Sequence, residues 1–282
     1  MDLSIITVNT NDREKIIDQI FSVIAGADGL SFEQIISDNG SIDGSVEQIK
    51  NQFPNIRVVG NGKNIGFAAA NNAALSLSSG EFILFLNPDM RVKSGSLKKL
   101  VDWLKVRSDV GIASCKLEDS AGSVQTQALP RRFPTLFDQT MILLKIPHLF
   151  PWVLNRYLYY RFDPNKEQTV DSVRGSFLLT RRQILATLGW AFDPRYFIWF
   201  EDVDLCKEVK RLGWRIVYTP IISCVDYVGQ TFRSIPLFRK QVWMTKSMLI
   251  YFQKWHPWYV WVWIGLLRPF VLLFAWMFDR SR

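Results

Sequence analysis

At 282 residues with 48% hydrophobic side chains, the chain is long enough to bury a large core, which excludes a disordered chain or a small disulfide-stapled one. A formal net charge of +8 suits nucleic acid, a membrane surface or an anionic substrate. Nucleic acid is set aside because there is neither a recognisable module nor a concentrated basic stripe. The basic residues thicken instead between Arg131 and Arg182 and from Arg233 to Arg282, which favours anionic lipid and then phosphorylated small molecules. Cys115, Cys206 and Cys224 are odd in number and lack CxxC spacing, so they read as buried free thiols in a reducing compartment.

Met1 to Val8 lacks the basic start and the long apolar core of a cleavable leader and reads as a buried first strand, Leu3–Val8. An amphipathic helix follows over Arg13–Ala25, then a strand over Phe32–Asp38, a helix over Ser45–Asn51 and a strand over Ile56–Gly60. The pattern continues with a helix over Gly66–Ser78, a strand over Phe82–Leu86, a helix over Leu97–Val106 and a strand over Val110–Lys116. Repeated βα units with short connections predict an α/β domain around a mostly parallel sheet, whose ligands bind beyond the carboxyl ends of the strands.

Those strand ends carry polar residues. After the second strand, Ser37-Asp38-Asn39-Gly40-Ser41 is either an ordinary Asx-turn or a loop whose Asp38 accepts a hydrogen bond from a base N–H. After the third, Asn64-Ile65-Gly66-Phe67 opens a helix with small residues that bring backbone N–H groups close to a phosphate. The successive Asn71 and Asn72 are unfavourable in a helix unless they bond something. The fourth strand ends in Asn87-Pro88-Asp89, either a capped turn or an aspartate presented to a divalent cation on a diphosphate.

Prolines, aromatics and basic residues interrupt the pattern from Ala128 to Lys166, which reads as a substrate-side lid or membrane-contacting hairpin. Beyond it, Glu201, Asp202 and Asp204 crowd the start of a helix with Leu205, Val209 and Leu212 at helical spacing. One carboxylate suffices as a cap, so the excess points to a site that handles protons or cations. Lys240–Trp255 and Trp258–Phe278 read as two further helices. The second is apolar enough to reach a span of about 20 residues, but Arg268-Pro269 near its centre is costly in hydrocarbon, so an interfacial or re-entrant pair is favoured.

Asp38-Asn39-Gly40-Ser41, Asn64-Ile65-Gly66-Phe67 with Asn71-Asn72, Asn87-Pro88-Asp89, Arg174-Gly175-Ser176 and Glu201-Asp202-Val203-Asp204 together resemble the inverting glycosyltransferases of family 2, especially the rhamnosyltransferase-like branch that builds bacterial surface polysaccharides. The resemblance covers Leu3 to about Arg233 and implies a GT-A fold over residues 1–235, with the insertion at 128–166 and membrane-associating helices over 236–282. It implies a nucleotide-diphosphate sugar donor, dTDP-rhamnose by branch, with a divalent magnesium or manganese ion. A lipid-diphosphate or glycan acceptor is also implied, at the cytoplasmic face of the bacterial inner membrane. By motif, Thr7, Asn9 and Asp38 would line the nucleoside, and Asn64, Gly66 and Asn71 would lie under ribose and diphosphate. Asn87 and Asp89 stand at the family's Asp-x-Asp position, with Asp89 facing the metal. Arg174, ahead of Gly175, faces either the donor diphosphate or the acceptor. Asp202 matches the base that deprotonates the acceptor hydroxyl, with Glu201 its neighbour.

Two departures stand out. Asn87 replaces the first aspartate of Asp-x-Asp, and Asp226-Tyr227-Val228-Gly229 stands where many relatives have His-x-x-Gly, which makes Asp226 the candidate second metal ligand. The competing readings are a non-catalytic nucleotide-sugar-binding or envelope-assembly scaffold, and a nucleotidyltransferase. The latter would want a glycine- and basic-rich loop where Asn9-Thr10-Asn11-Asp12 stands.

Overall fold

The computed structural model describes residues 1–227 and 235–280; Val228 and Gly229 of the His-x-x-Gly counterpart lie outside them. Four βα units open the chain: β1 (Leu3–Asn9), α1 (Arg13–Gly26), β2 (Phe32–Asp38), α2 (Ser45–Gln52), β3 (Arg57–Gly60), α3 (Phe67–Leu75), β4 (Phe82–Leu86), β5 (Met90–Val92) and α4 (Ser96–Lys105). Then come β6 (Val110–Glu118), α5 (Leu136–Leu143), β7 (Gln168–Thr169), β8 (Phe177–Arg181), α6 (Arg182–Leu188), α7 (Glu201–Arg211), β9 (Arg215–Asp226), α8 (Leu237–Trp255) and α9 (Trp258–Arg280).

The strands form one sheet in the order β3-β2-β1-β4-β8-β6-β9-β5, with β7 also on β9. Strands β1 to β4 are mutually parallel, as are β6 and β9, while β8 runs antiparallel between β4 and β6. The amino end of β8 therefore lies on the same sheet edge as the carboxyl ends of β1 to β4 and β9. That reversal brings the Arg174-Gly175 segment to the edge where the βα loops gather. The all-apolar β4 is buried on both faces: Ile83 and Phe85 join one core cluster, and Phe82, Leu84 and Leu86 join the other.

The helix predicted over Gly66–Ser78 is shorter, Phe67–Leu75. Gly66 stands outside it at φ +90°, where a Cβ would lie 2.6 Å from the carbonyl oxygen of Phe197. The inserted region holds α5, capped by a reciprocal Thr135–Asp138 box, together with short 3-10 turns.

The two C-terminal helices form an antiparallel hairpin clasped along its length. Asp279 at the end of α9 accepts from the backbone N–H groups of Leu237 and Phe238 at the start of α8, at 3.0 and 2.8 Å. Arg268 turns inward, its Nε 3.1 Å from the Thr245 hydroxyl of α8. The arginine that is costly for a spanning helix is thus held by a polar partner. The inner face of α8 is core: Met248, Tyr251 and Phe252 are buried with Leu205 and Val209 of α7. On α9, Tyr259, Trp263, Leu266, Phe270, Phe274 and Met277 recur at helical spacing and are exposed, Phe270 at 71%.

Candidate active site

The predicted site residues fall along one edge of the sheet, in three groups. At the ends of β1 to β3, side chains bond to neighbouring loops. Asn9, buried, donates from Nδ2 to Asp38 Oδ1 (2.9 Å), Ser41 Oγ (3.0 Å) and Ser45 Oγ (2.8 Å), while its own Oδ1 is buried without a partner among the described residues. Asp38 Oδ2 accepts from the N–H groups of Gly40 (3.1 Å) and Ser41 (2.9 Å). Its carboxylate therefore organises the loop with at least three of its acceptor positions, as an Asx-turn does. Asn64 Oδ1 accepts from the Gly66 N–H at 2.9 Å, and Asn39 joins Asn64 to the carbonyl of Gly66.

The two helical asparagines do find partners. Asn71 Nδ2 reaches back to the Phe67 carbonyl at 2.8 Å. Asn72 clamps the 191–192 segment, donating to Phe192 O and accepting from the N–H groups of Ala191 and Phe192. Thr7 sits one layer below the edge, its hydroxyl accepting from Gln19 Nε2 at 2.8 Å.

Gln19 was not singled out from the sequence. It lies on the buried face of α1 among Ile16, Ile17, Ile20 and Val23, and its amide also donates to the carbonyl of Asn87 at 3.1 Å. A glutamine inside an apolar stripe was the available signal. Asn61, also missed, donates to Ser37 and Asn39.

The second group follows β4. The N–H of Asn87 donates to the Ser176 carbonyl at 3.0 Å, joining the β4 end to the entrance of β8. Asp89 is half-buried, and burial pushes its carboxyl up against weaker opposing help from Lys15. The register of β5 and β9 sets Met90 opposite Asp226, and the N–H of Tyr227 donates to the Asp89 carbonyl at 3.1 Å. The two metal candidates are therefore neighbours at one strand pair. Among the described residues there is no group of three or more His, Cys, Asp and Glu side chains set to hold an ion. Two carboxylates with oxygens of a diphosphate would still suit magnesium or manganese, which take protein and phosphate oxygens together.

The third group is the start of α7. Trp199 and Phe200 hold φ of 65° and 68°, a left-handed backbone that non-glycine residues adopt at a cost of about 1 kcal/mol or more. The turn they make presents Asp202, whose Oδ2 accepts from the Gly175 N–H at 3.0 Å and whose Oδ1 accepts from the Val203 N–H at 2.8 Å. Glu201 is buried with Oε2 unpartnered among the described residues. Burial, reinforced by the charge of Asp202, keeps its proton on well above the usual carboxylate range. Asp204 points the other way: fully buried, it accepts from Lys254 Nζ at 2.7 Å and Trp255 Nε1 at 2.6 Å. The crowded carboxylates thus divide into one at the site, one neutral and buried, and one that docks α8.

Arg174 is half-buried, and burial, then the nearby charge of Arg131, lowers its guanidinium below the usual arginine range. It donates to the Gln127 carbonyl and lines a cleft under the inserted segment.

A mostly parallel βα sheet with its polar residues along one carboxyl edge, interrupted in its middle by the antiparallel β8, is the GT-A glycosyltransferase architecture. The chain superposes on a mannosyltransferase of Pyrobaculum calidifontis in complex with GDP-mannose and Mn2+ with a TM-score of 0.59. That match has 18% identity and covers 97% of this chain and 72% of the other. The profile of glycosyl transferase family 2 matches residues 4–189, and the chain belongs to that family. It is 32% identical over 199 residues to the N-acetylglucosaminyl-diphospho-decaprenol L-rhamnosyltransferase of Mycobacterium tuberculosis, over 66% of this chain and 63% of the relative's length. It is 27% identical over 197 residues to the rhamnosyltransferase WbbL of Escherichia coli, over 67% and 70% of the two chains.

Proposed function

We propose that the protein is an inverting glycosyltransferase of cell-envelope polysaccharide synthesis. It moves a sugar, rhamnose from dTDP-rhamnose, onto a hydroxyl of a lipid-diphosphate-linked acceptor. The reading rests foremost on Asp202. Its carboxylate is fixed by two backbone N–H groups at a strained turn, beside a neutral Glu201, on the edge that also carries Asp89 and Asp226. The names of the mycobacterial and E. coli relatives support the sugar and the acceptor class.

In this mechanism the acceptor hydroxyl oxygen attacks the anomeric carbon as the bond from that carbon to the diphosphate oxygen breaks. Asp202 takes the hydroxyl proton and the nucleoside diphosphate leaves with the bonding electrons. Because Glu201 holds its own proton, it competes neither as a second base nor as a second charge. The N–H groups around Gly66 and the rigid Asn9–Asp38 loop bind and orient the donor. Asp89 and Asp226 would hold the divalent cation, which when bound supplies positive charge against the departing diphosphate.

The exposed stripe of α9 and the apolar residues Leu149 and Trp152 of the insertion support attachment to a membrane surface, its cytoplasmic leaflet in a bacterial cell. The test is transfer by purified protein in detergent across UDP-, dTDP- and GDP-sugars, with manganese, magnesium or chelator. Turnover of one donor that disappears in Asp202→Asn supports the reading. A donor that binds and is never transferred to any lipid-linked acceptor overturns it.

A further inference from the structure

Under the inserted segment lies a cleft of about 680 Å3 whose walls combine Leu129, Leu158, Tyr160 and Phe162 with two arginines, Arg131 and Arg174. The arginines are set by the backbone. Arg131 exchanges both main-chain hydrogen bonds with Ser172, at 3.1 Å each, and Arg174 follows Ser172 by two residues on the same extended segment. Both guanidinium groups donate from Nη2 to one acceptor, the carbonyl oxygen of Gln127. Two positive charges converge on a single neutral oxygen, and among the described residues neither forms an ion pair with a carboxylate. The two charges repel each other, an effect that the nearby carboxylates of Asp202 and Asp226 offset in part at Arg174, and a planar guanidinium pair suits the oxygens of a phosphate or diphosphate.

The place of the pair bears on which anion it takes. Gly175, the next residue after Arg174, donates its N–H to Asp202, so the cations and the base are one residue apart on the same strand entrance.

We infer that this cleft is the acceptor site: Arg131 and Arg174 clasp the diphosphate of a lipid-linked sugar, its first isoprenoid units lie along Leu158, Tyr160 and Phe162, and its sugar hydroxyl extends to Asp202. The inference rests on the proposed transferase reading for the sugar and the base, and its test does not depend on turnover. It assigns Arg174 to the acceptor and leaves the donor diphosphate to the β3–α3 loop and the Asp89 edge.

The test is binding of farnesyl diphosphate to the full chain in detergent by calorimetry, with dTDP and chelator present. Farnesol, inorganic diphosphate and phosphatidylglycerol nanodiscs are run alongside. The native protein binds farnesyl diphosphate more tightly than farnesol or diphosphate, and dTDP does not displace it. Arg131→Gln and Arg174→Gln each weaken binding by about tenfold, the weight of one charged hydrogen bond, and Arg→Lys variants recover part of it. Asp202→Asn binds as the native protein does, although it fails to transfer. If Arg174→Gln fails to fold, Arg131→Gln and Arg131→Lys carry the test. Displacement by dTDP would make this a donor subsite. Equal competition by phosphatidylglycerol would make it a headgroup site. Native-like binding in the glutamine variants, or no binding by the native protein, also overturns the assignment.

Discussion

Along the edge formed by β1 to β4, the polar side chains hold one another: Asn9 holds Asp38, Asp38 holds Gly40 and Ser41, Asn64 holds Gly66, and Gln19 ties Thr7 to Asn87. In the cleft under the insertion, by contrast, Arg131 and Arg174 share one carbonyl, and the walls are aromatic and apolar. The first region, Asn9 Oδ1 apart, is hydrogen-bonded within itself before any ligand arrives; the second sets two cations on one neutral acceptor. A donor common to many enzymes can be met by a preformed cradle, whereas an amphiphilic acceptor is met by charge and apolar surface that become satisfied only when it binds. Asp202 stands at the seam, bonded through Gly175 to the strand that carries Arg174.

The largest effect belongs to that seam. Asp202→Asn keeps the size and one of the two acceptor oxygens but removes the proposed base, and transfer should fall by about a thousandfold. Donor binding, measured separately by calorimetry, should stay near native. Weakened donor binding would move Asp202 into the first region.

Next is the anchor behind it. Lys254 ties Asp193, Asp204 and Glu208 at 3.2, 2.7 and 2.9 Å, locking α8 to α7. Lys254→Met leaves the fully buried Asp204 without its cation and should destabilise the fold by about 3 kcal/mol in urea unfolding. The same cluster makes the protein acid-sensitive. Burial pushes the Asp193 carboxyl up, but hydrogen bonds from Arg195 and Lys254 outweigh this and bring it down to about 2. Since the folded value lies below the unfolded one, the stabilisation is complete above pH 4 and is lost as pH falls from 4 towards 2. A flat urea midpoint across that window would show that Arg195 and Lys254 do not hold the Asp193 carboxylate in the folded protein.

Asn72→Ala tests the scaffold of the first region. It removes a clamp of three hydrogen bonds on Ala191 and Phe192, both buried, and should cost about 2 kcal/mol of stability while leaving the chemistry of Asp202 intact. A normal stability with lost donor affinity would make Asn72 a ligand contact.

The same contrast governs what was legible in the sequence. The βα alternation located β2 and β4 to the residue, because apolar runs of strand length bounded by turn residues have few other uses. The motif residues of the β1–β4 edge were visible because asparagines and glycines at strand ends are costly without a purpose. Neither the antiparallel direction of β8 nor the pairing of β5 with β9 could be read, since strand direction depends on contacts distant in sequence. By residue type alone the three carboxylates at α7 are alike, and only the family resemblance singles out Asp202; the contact that occupies Asp204 could not be read, because Lys254 lies some fifty positions further on. Arg268 looked like an obstacle to the apolar helix because its partner, Thr245, lies on the other arm of the hairpin.

The smallest effect, and the sharpest on the division of labour at α7, comes from Glu201→Gln. In the native protein Glu201 is buried, its Oε2 has no partner among the described residues, and its proton is held well above the ordinary range by burial and by the charge of Asp202. Its folded value exceeds its unfolded one, so folding is penalised increasingly as pH rises beyond the unfolded carboxyl range, where the unfolded chain has already released the proton. Glutamine has nearly the same shape and no proton to lose. At pH 4 the two proteins should therefore unfold at nearly the same urea concentration, and at pH 8 the variant should be the more stable. If the two midpoints change together across that range, Glu201 does not hold its proton beyond the ordinary carboxyl range, and the division of roles between Glu201 and Asp202 fails.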